Sequence, residues 1–264
     1  MRSAFTEIIN IKETSLLLPL IKSLAEVLPL LVPEKLSEDK VFTIKTFKRI
    51  VEIWDKSKTL SWRFLTEFIR IIPNIQKFFK EQNFFEYFLE ELSSIIKTGN
   101  FQLKREASYA FFKLLRQNRG YRKREKYFID MFSLRTSVSY YERVGFLEFC
   151  KVLIDCYSLE FVRNNDIVSK VLTLANDKVS AMRLRIVRAC TNICTQLQED
   201  LQKIIKEKVA EMCNDLNIDV KSEAQKAIII INKIINDKQI QVDIARKNLV
   251  KEQEENLLLE KVAI

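Results

Sequence analysis

Histidine is absent from this 264-residue chain, and its absence restricts the available chemistry more than any residue that is present. Without imidazole the chain cannot form a Ser-His-Asp or Cys-His triad, an HExxH zinc site or a Cys/His zinc finger. The three glycines, Gly99, Gly120 and Gly145, are too far apart for a phosphate-binding loop, which needs clustered glycine. The sequence therefore predicts a protein that is not an enzyme and that holds no cofactor or metal of its own.

The cysteines point to the same interpretation. Their number is odd, no CxxC pair occurs, and they stand in apolar helical contexts: Cys150, Cys156, Cys190, Cys194 and Cys213. This pattern favours small buried thiols in a reducing compartment. A four-cysteine zinc site is the alternative, although only Cys190 and Cys194 are one helical turn apart. No apolar run is long enough to span a membrane, and residues 1–7 lack the apolar core of a signal peptide, so we expect a cytoplasmic protein without a membrane partner.

The charge is positive, because 44 Lys and Arg stand against 35 Asp and Glu, which gives a net charge of +9. Phosphate binding uses such an excess, but no nucleic-acid recognition motif accompanies it. The basic residues are densest at Arg116, Arg119, Arg122, Lys123, Arg124 and Lys126. We interpret this cluster as a solvated connection or a surface for an acidic protein partner, and predict no nucleic-acid binding.

The elements that would position any functional residue are repeated helical pairs. Each apolar helix is followed by a short polar turn and by an apolar-basic pair that opens a second apolar helix: Trp62-Arg63, Leu103-Lys104, Glu142-Arg143 (with an acidic first residue), Met182-Arg183 and Val220-Lys221. The basic residues are separated by 41, 39, 40 and 38 positions. Three glycines and four prolines are too few for the many tight turns of a β-sandwich or barrel. This period predicts an all-α protein built from repeats.

A single helical pair leaves one face of each helix uncovered, so several pairs must stack to bury a continuous core. Five full copies fit the chain, and an incomplete copy precedes them with helices over residues 3–10 and 14–31. We predict an α-solenoid over residues 1–236 and a charged helical extension over residues 237–264. The extension either closes the open end of the stack, pairs with another helix, or remains a solvated helix. Because the first helix is so short, we expect the chain to be the C-terminal part of a longer solenoid.

An aspartate in the turn and a basic residue early in the second helix resemble the HEAT repeat. The matching pairs are Asp177 with Arg183 and Asp219 with Lys221, and in HEAT repeats such residues tie neighbouring repeats together. More specific stretches resemble the HEAT-repeat scaffold and regulatory subunits of protein phosphatases 2A and 4: Ser61-Trp62-Arg63 with Pro73 and Phe84-Phe85, Arg105 to Ser108, Leu114 to Arg119, Ser139 to Glu148, and the leucine-containing charged run from Asn248 to Glu260.

The resemblance implies where a partner would bind. In that family the turns between paired helices grip the phosphatase catalytic subunit, and here they correspond to residues 55–61, 97–102, 135–140, 176–181 and 215–219. Trp62, Arg63 and Tyr140 match gripping residues, and Tyr141 and Phe101 are further candidates, although the family has a smaller residue at position 101. Trp and Arg are also the side chains most enriched in interface hot spots.

Structural roles remain open for the same residues. Trp62 is alternatively a core residue, the tyrosine pair is alternatively part of the core, and Arg63, Arg143 and Arg183 alternatively bind the turn of the neighbouring repeat. The leading hypothesis is a non-catalytic scaffold that binds a serine/threonine phosphatase catalytic subunit of the 2A or 4 type and directs it to substrates. The alternative is a HEAT-repeat adaptor of another assembly in transport, the cytoskeleton or cilia, since a solenoid fold alone does not select a partner.

Overall fold

The computed structural model describes residues 14–31, 40–76, 78–79, 82–117 and 121–258, and within these ranges the regular structure is entirely helical. The α-helices are α1 Thr14–Leu31, α2 Lys40–Leu60, α3 Trp62–Gln76, α4 Gln82–Thr98, α5 Phe101–Gln117, α6 Tyr121–Ser133, α7 Tyr140–Cys156, α8 Leu159–Asn164, α9 Ile167–Leu172, α10 Ser180–Cys194, α11 Glu199–Met212, α12 Ile218–Asn236 and α13 Lys238–Leu258. Short 3-10 helices follow α6 at Leu134–Thr136 and α9 at Thr173–Asn176. The helix predicted over residues 3–10, Arg119 of the basic cluster, and residues 259–264 of the predicted extension lie outside the described ranges.

The helices form two compact units. One comprises Met1–Ile95 with Gln102–Gln117, and the other Ile96–Phe101 with Asn118–Ile264. Both consist of helices in successive pairs, called A and B below, with α3, α5, α7, α10 and α12 as the B helices that follow the turns. The chain is thus an all-α protein of stacked helical hairpins, the α-solenoid type of fold, as the period predicts. The division at residue 237 stays a prediction, and Asp237 separates α12 from α13.

Aromatic side chains fill the core of the first unit. Trp54 of α2 is completely buried and meets Phe68 and Phe88 edge-on, with ring centroids 5.2 and 5.4 Å away. Phe84 continues this contact, since its centroid lies 4.7 Å from that of Phe88 and 5.0 Å from that of Phe79. Edge-to-face and tilted pairs of this kind add stabilisation beyond the burial of their surface. The large rings therefore hold α2, α3 and α4 in fixed positions.

The first turn differs from the prediction over residues 55–61. Helix α2 continues to Leu60, so only Ser61 separates it from α3. In the last turn of α2, Ser57 and Thr59 donate to backbone carbonyls three residues earlier, and Lys58 pairs with Asp55 at 3.1 Å. These polar side chains bond within the helix and do not interrupt it, although the composition alone suggests a loop.

In the second unit the B helices pack in chain order, α7 against α10 and α10 against α12. The A helices pack beside them, with α11 against both α10 and α12. The turn predicted from Asn176-Asp177 lies there: the 3-10 helix ends at Asn176, and Asp177 takes an extended conformation before α10. One A helix is interrupted between α8 and α9, where Asp166 has a φ of 51°. Aspartate tolerates this left-handed conformation better than most residues do.

Helix α13 turns back along the second unit and binds the helix ends at the junction of α7 and α8. The backbone N–H and the hydroxyl of Ser158 donate to the carboxylate of Glu255, the latter at 2.5 Å, and the N–H of Leu159 donates to Asn248 Oδ1 at 2.7 Å. Lys251 donates to a carbonyl in the last turn of α7 at 2.7 Å. A carboxylate at a helix start and an ammonium group at a helix end each satisfy unpaired backbone groups and complement the helix dipole. The extension therefore packs on the second unit through helix-end contacts.

Candidate functional site

The first candidate surface is the Trp62–Arg63 pair at the start of α3. Ser61 caps this helix, because its hydroxyl accepts the N–H of Phe64 at 3.2 Å. The cap fixes Trp62 as the first helical residue, where its side chain remains 38% exposed. The guanidinium carbon of Arg63 lies 4.6 Å from a Trp62 ring centroid, a cation–π contact on the surface. The pair thus presents a large aromatic face together with a positive charge to solvent.

The two tryptophans have opposite roles, and the sequence does not distinguish them. The core position suggested as an alternative for Trp62 belongs to Trp54, whose indole N–H donates to Glu91 Oε2 at 3.0 Å. A buried tryptophan normally finds such a partner, whereas an exposed one needs none. The acceptor on α4 is distant in sequence, which is why local pattern does not reveal the pair.

A charged cluster lies close in sequence to the Trp62–Arg63 pair. Lys58, in the last turn of α2, is held between Asp55 at 3.1 Å and Glu91 at 2.5 Å. Tyr87 donates weakly to Asp55 at 3.5 Å, and burial together with these two carboxylates raises the pKa of its hydroxyl. The lysine is therefore engaged in an ion-pair network within the first unit. Arg63 makes no ion pair within the part of the chain that the structure describes.

The register of Arg63 differs from that of the other basic residues. In α3, α7, α10 and α12 the first backbone hydrogen bond that spans four residues provides the alignment: its donors are the N–H groups of Leu65, Arg143, Arg183 and Lys221. Leu65 is thus the equivalent of Arg143, and Arg63 lies two positions before the basic column. The sequence shows this shift, because the spacing from Arg63 to Lys104 is 41 residues, whereas the later basic residues are 38 to 40 residues apart.

In the second unit two arginines of the basic column form ion pairs with the next turn. Arg143 binds Asp177 through two bonds, Nε to Oδ2 at 2.5 Å and Nη2 to Oδ1 at 3.0 Å. Arg183 binds Asp215 in the same way, at 2.7 and 2.8 Å. Each aspartate Oδ1 also accepts a backbone N–H two residues later, at 2.8 Å in both turns. We call this repeated contact the arginine–aspartate ladder, and it links α7 and α10 to the turns that follow them.

Of the four residues predicted to tie repeats together, Asp177 and Arg183 take part in the ladder. Arg143 and Arg183 bind the turn of the next repeat, which is the alternative role given to them, and the carboxylate that receives Arg183 is Asp215. Asp219 and Lys221 are exposed at the start of α12. Asp215 receives Arg183 because it begins the turn, and at that position its carboxylate also accepts a backbone N–H. Hydrogen bonds from Arg183 lower the pKa of Asp215 from the ordinary aspartate value.

The other predicted binding residues lie at the start of B helices and form a second surface. Phe101 is 43% exposed and lies between two cations, with Lys151 Nζ 5.6 Å and the guanidinium carbon of Arg185 5.4 Å from its ring centroid. The hydroxyl of Tyr140 accepts Arg185 Nε at 3.0 Å. Tyr141 contacts Tyr140 edge-on at 5.6 Å and is 67% exposed. The structure thus brings Phe101 and Tyr140 together around Arg185, a residue that sequence reasoning missed.

These residues line a cleft of about 400 Å³ between α7 and α10, called the Arg185 cleft below. Leu147, Glu148 and Lys151 contribute from α7, and Leu184, Arg185, Arg188 and Asn192 contribute from α10. Their spacing of three, four and seven residues places them on one face of each helix.

The cysteine and acidic side chains form no metal centre in the residues that the structure describes. All five cysteines are free thiols, and burial raises the pKa of Cys194 to about 12, so that this thiol remains protonated near neutral pH. Across residues 14–31, 40–76, 78–79, 82–117 and 121–258, no group of three or more Cys, Asp or Glu side chains could hold a metal ion. No helix in these ranges is long and apolar enough to cross a membrane.

No protein-family profile matches the sequence, and no curated protein is similar to it in sequence. Among solved structures, the chain is similar to an archaeal HEAT-like repeats protein from Thermococcus onnurineus NA1, at 11% identity and a TM-score of 0.38, over 89% of this chain and 88% of the other. It is also similar to computationally designed armadillo repeat proteins for modular peptide recognition, at 14% identity and a TM-score of 0.36, over 86% and 98%. At these TM-scores, the assignment of HEAT/armadillo-like helical repeats rests on the chain's own period, hairpins and arginine–aspartate ladder.

Proposed function

We propose that the protein is a non-catalytic scaffold that binds another protein through the exposed starts of its B helices. One observation carries the proposal: an aromatic residue opens three successive B helices at 39-residue steps, Trp62, Phe101 and Tyr140. The first two are substantially exposed, and exposed Tyr141 follows the third. Folding does not require large aromatic side chains at this solvent-exposed position. Aromatic residues with arginine beside them are instead typical of the centres of protein interfaces.

For the partner, we propose a serine/threonine phosphatase catalytic subunit of the 2A or 4 type. This rests on the resemblance of Ser61-Trp62-Arg63 and of the Tyr140-Tyr141 region to the phosphatase scaffold family, and we propose protein phosphatase 4 regulatory subunit 4 as a counterpart. The catalytic metals would belong to the partner. The repeat array would hold the enzyme in one place and recruit other proteins elsewhere, which raises the effective concentration of the enzyme at its substrates. We propose the cytoplasm as the location.

Equilibrium binding between the purified chain and a purified catalytic subunit tests this proposal. Substituting both Trp62→Ala and Arg63→Ala removes a hot-spot aromatic and its cation, and we expect the Kd to rise at least about 30-fold. Ile129→Ala is the matched control, since it removes an exposed apolar side chain from an A helix. Circular dichroism should show unchanged helicity in every variant. Absence of binding to catalytic subunits of the 2A, 4 and 6 types would refute the phosphatase assignment, and capture of another assembly through the same two residues would favour the adaptor alternative.

A further inference from the structure

We infer that the Arg185 cleft binds an extended, acidic peptide segment of a partner protein, with a single glutamate or aspartate side chain received by Arg185. The inference rests on the proposed function only in taking the chain to be a protein-binding scaffold. It concerns a different contact from the Trp62–Arg63 pair, and it does not depend on the partner being a phosphatase.

The first support is the state of the Arg185 guanidinium. Its Nε donates to the hydroxyl of Tyr140 at 3.0 Å, and its carbon lies 5.4 Å from the centroid of the Phe101 ring. These two contacts fix the plane of the guanidinium group. Among the described residues, no acceptor receives a hydrogen bond from its two terminal nitrogens. A planar group with both terminal nitrogens open presents the two-pronged donor that a carboxylate fits.

The second support is the balance of charge in the cleft. Lys151 is neutralised by Glu148, which it reaches at 3.0 and 3.1 Å, and Arg188 is paired with Glu223 of α12 at 3.0 Å. Three cations and two carboxylates leave one net positive charge, and that charge is on Arg185. A single carboxylate compensates it, whereas a phosphate group carries closer to two negative charges at neutral pH. The charge balance therefore favours an acidic side chain over a phosphorylated one.

The third support is the size and lining of the cleft. From Ala181 to Asn192 the lining face of α10 covers 11 residue steps, a rise of about 16 Å. An extended peptide advances about 3.3 Å per residue, so about five residues fit along it. Leu147, Leu184 and the exposed ring of Phe101 provide apolar contact beside the charge. We expect the acidic residue to have a large apolar neighbour in the bound segment.

A fluorescence-anisotropy titration of the full chain with synthetic peptides tests the inference. The probes are short labelled libraries with Glu, Gln, Lys or phosphoserine at the centre and randomised neighbours, and the assay contains no phosphatase. We expect the Glu library to bind at least about tenfold more tightly than the Gln library, because a charge-assisted pair of hydrogen bonds replaces neutral ones. Arg185→Gln should abolish this preference. Arg246→Gln, which changes the net charge equally on exposed α13, should retain it.

Two further variants make the test independent of general charge effects. Arg185→Glu should reverse the preference from the Glu to the Lys library, and Tyr140→Phe should weaken Glu selectivity without abolishing it, since the hydroxyl only orients the guanidinium group. The melting temperature of each variant checks that it is folded. If an Arg185 variant is not folded, Arg185→Lys takes its place, and we expect it to lose part of the preference for the Glu library.

Three results would overturn the inference: equal binding of the Glu and Gln libraries, including no binding of either; a preference that survives Arg185→Gln; or tighter binding of the phosphoserine library than of the Glu library. Loss of phosphatase binding alone, with the Glu preference intact, would refute the phosphatase proposal and leave this inference standing.

Discussion

Removing the arginine of one ladder contact should destabilise the second unit far more than removing an exposed arginine of the same unit. In Arg143→Met, the guanidinium group is lost while a side chain of similar reach remains. Four hydrogen bonds disappear, two to Asp177 and one each to the carbonyls of Ser137 and Val138 at 2.8 and 2.9 Å. Among the described residues, the Asp177 carboxylate then keeps one hydrogen-bond donor, the backbone N–H of Val179, while Arg183 remains bonded to the backbone carbonyl of Asp177.

The expected magnitude follows from burial. The side chains of Arg143 and Asp177 are 5% and 4% exposed, so the substitution leaves the Asp177 carboxylate away from water and without its ion-pair partner. Breaking such a pair from one side costs about 3–5 kcal/mol. For a unit of this length, that corresponds to a fall in melting temperature of about 6–20 °C. The exposed comparison is the Arg163–Asp200 pair, at 3.0 Å, whose side chains are 38% and 59% exposed. Because water already solvates both groups, Arg163→Met should lower the free energy of unfolding by at most about 1 kcal/mol.

Urea denaturation followed by circular dichroism measures both variants in the same unit. A companion variant, Asp177→Asn, removes the negative charge but keeps an oxygen that accepts the N–H of Val179. We therefore expect it to lower the free energy of unfolding by about 1–3 kcal/mol. The double variant with Arg143→Met should cost less than the two single changes together, because the orphaned carboxylate is gone. If Arg143→Met costs no more than Arg163→Met, the ladder does not stabilise the repeats and the reasoning is refuted.

Three further predictions concern acid stability, the C-terminal helix and the tryptophans. Since the pKa of Asp215 is lowered below its usual value of about 3.9, its contribution should be complete above about pH 5 and lost as the pH falls through the folded-state pKa, so the urea midpoint of Asp215→Asn should approach that of the wild type in acid. Glu255→Ala should cost about 1–3 kcal/mol and speed amide hydrogen exchange in peptides that contain Ser158, and unchanged exchange would contradict the helix-end contact. Trp54→Ala should cost about 3–5 kcal/mol, whereas Trp62→Ala should change stability by less than about 0.5 kcal/mol, and acrylamide should quench the fluorescence of Trp62 but not that of Trp54.

The repeat architecture was predictable from the sequence because its signals are local. Apolar spacing specifies the buried face of each helix, as in α1, where Leu20, Ile21, Leu24 and Leu28 are all buried. A polar pair that begins with Asn176 ends its helix for equally local reasons. The turn over residues 55–61 could not be predicted, because a helix that continues through polar residues and a polar loop have the same composition.

The binding surfaces were less predictable, because their contacts join distant positions. Trp54 is buried and bonds to an acceptor on α4, whereas Trp62 is exposed, and the residues next to each tryptophan in the sequence do not distinguish the two. Asp215 and Asp219 both suit a turn, and only the approach of Arg183 selects the first. Arg185 stands in a run of alternating basic and apolar residues, and its importance depends on Phe101 and Tyr140, which lie two helical pairs and one helical pair earlier. An aromatic residue at the start of successive B helices is the one signal that the sequence alone could have revealed.

We propose that the exposed aromatic starts of the B helices bind a phosphatase catalytic subunit, and isothermal titration of the purified chain with a catalytic subunit of the 2A or 4 type tests this binding. We expect saturable binding that Trp62→Ala with Arg63→Ala weakens at least about 30-fold while Ile129→Ala leaves it unchanged. No heat of binding and no capture with any of these subunits, or equal affinity of the double variant and the wild type, would contradict it.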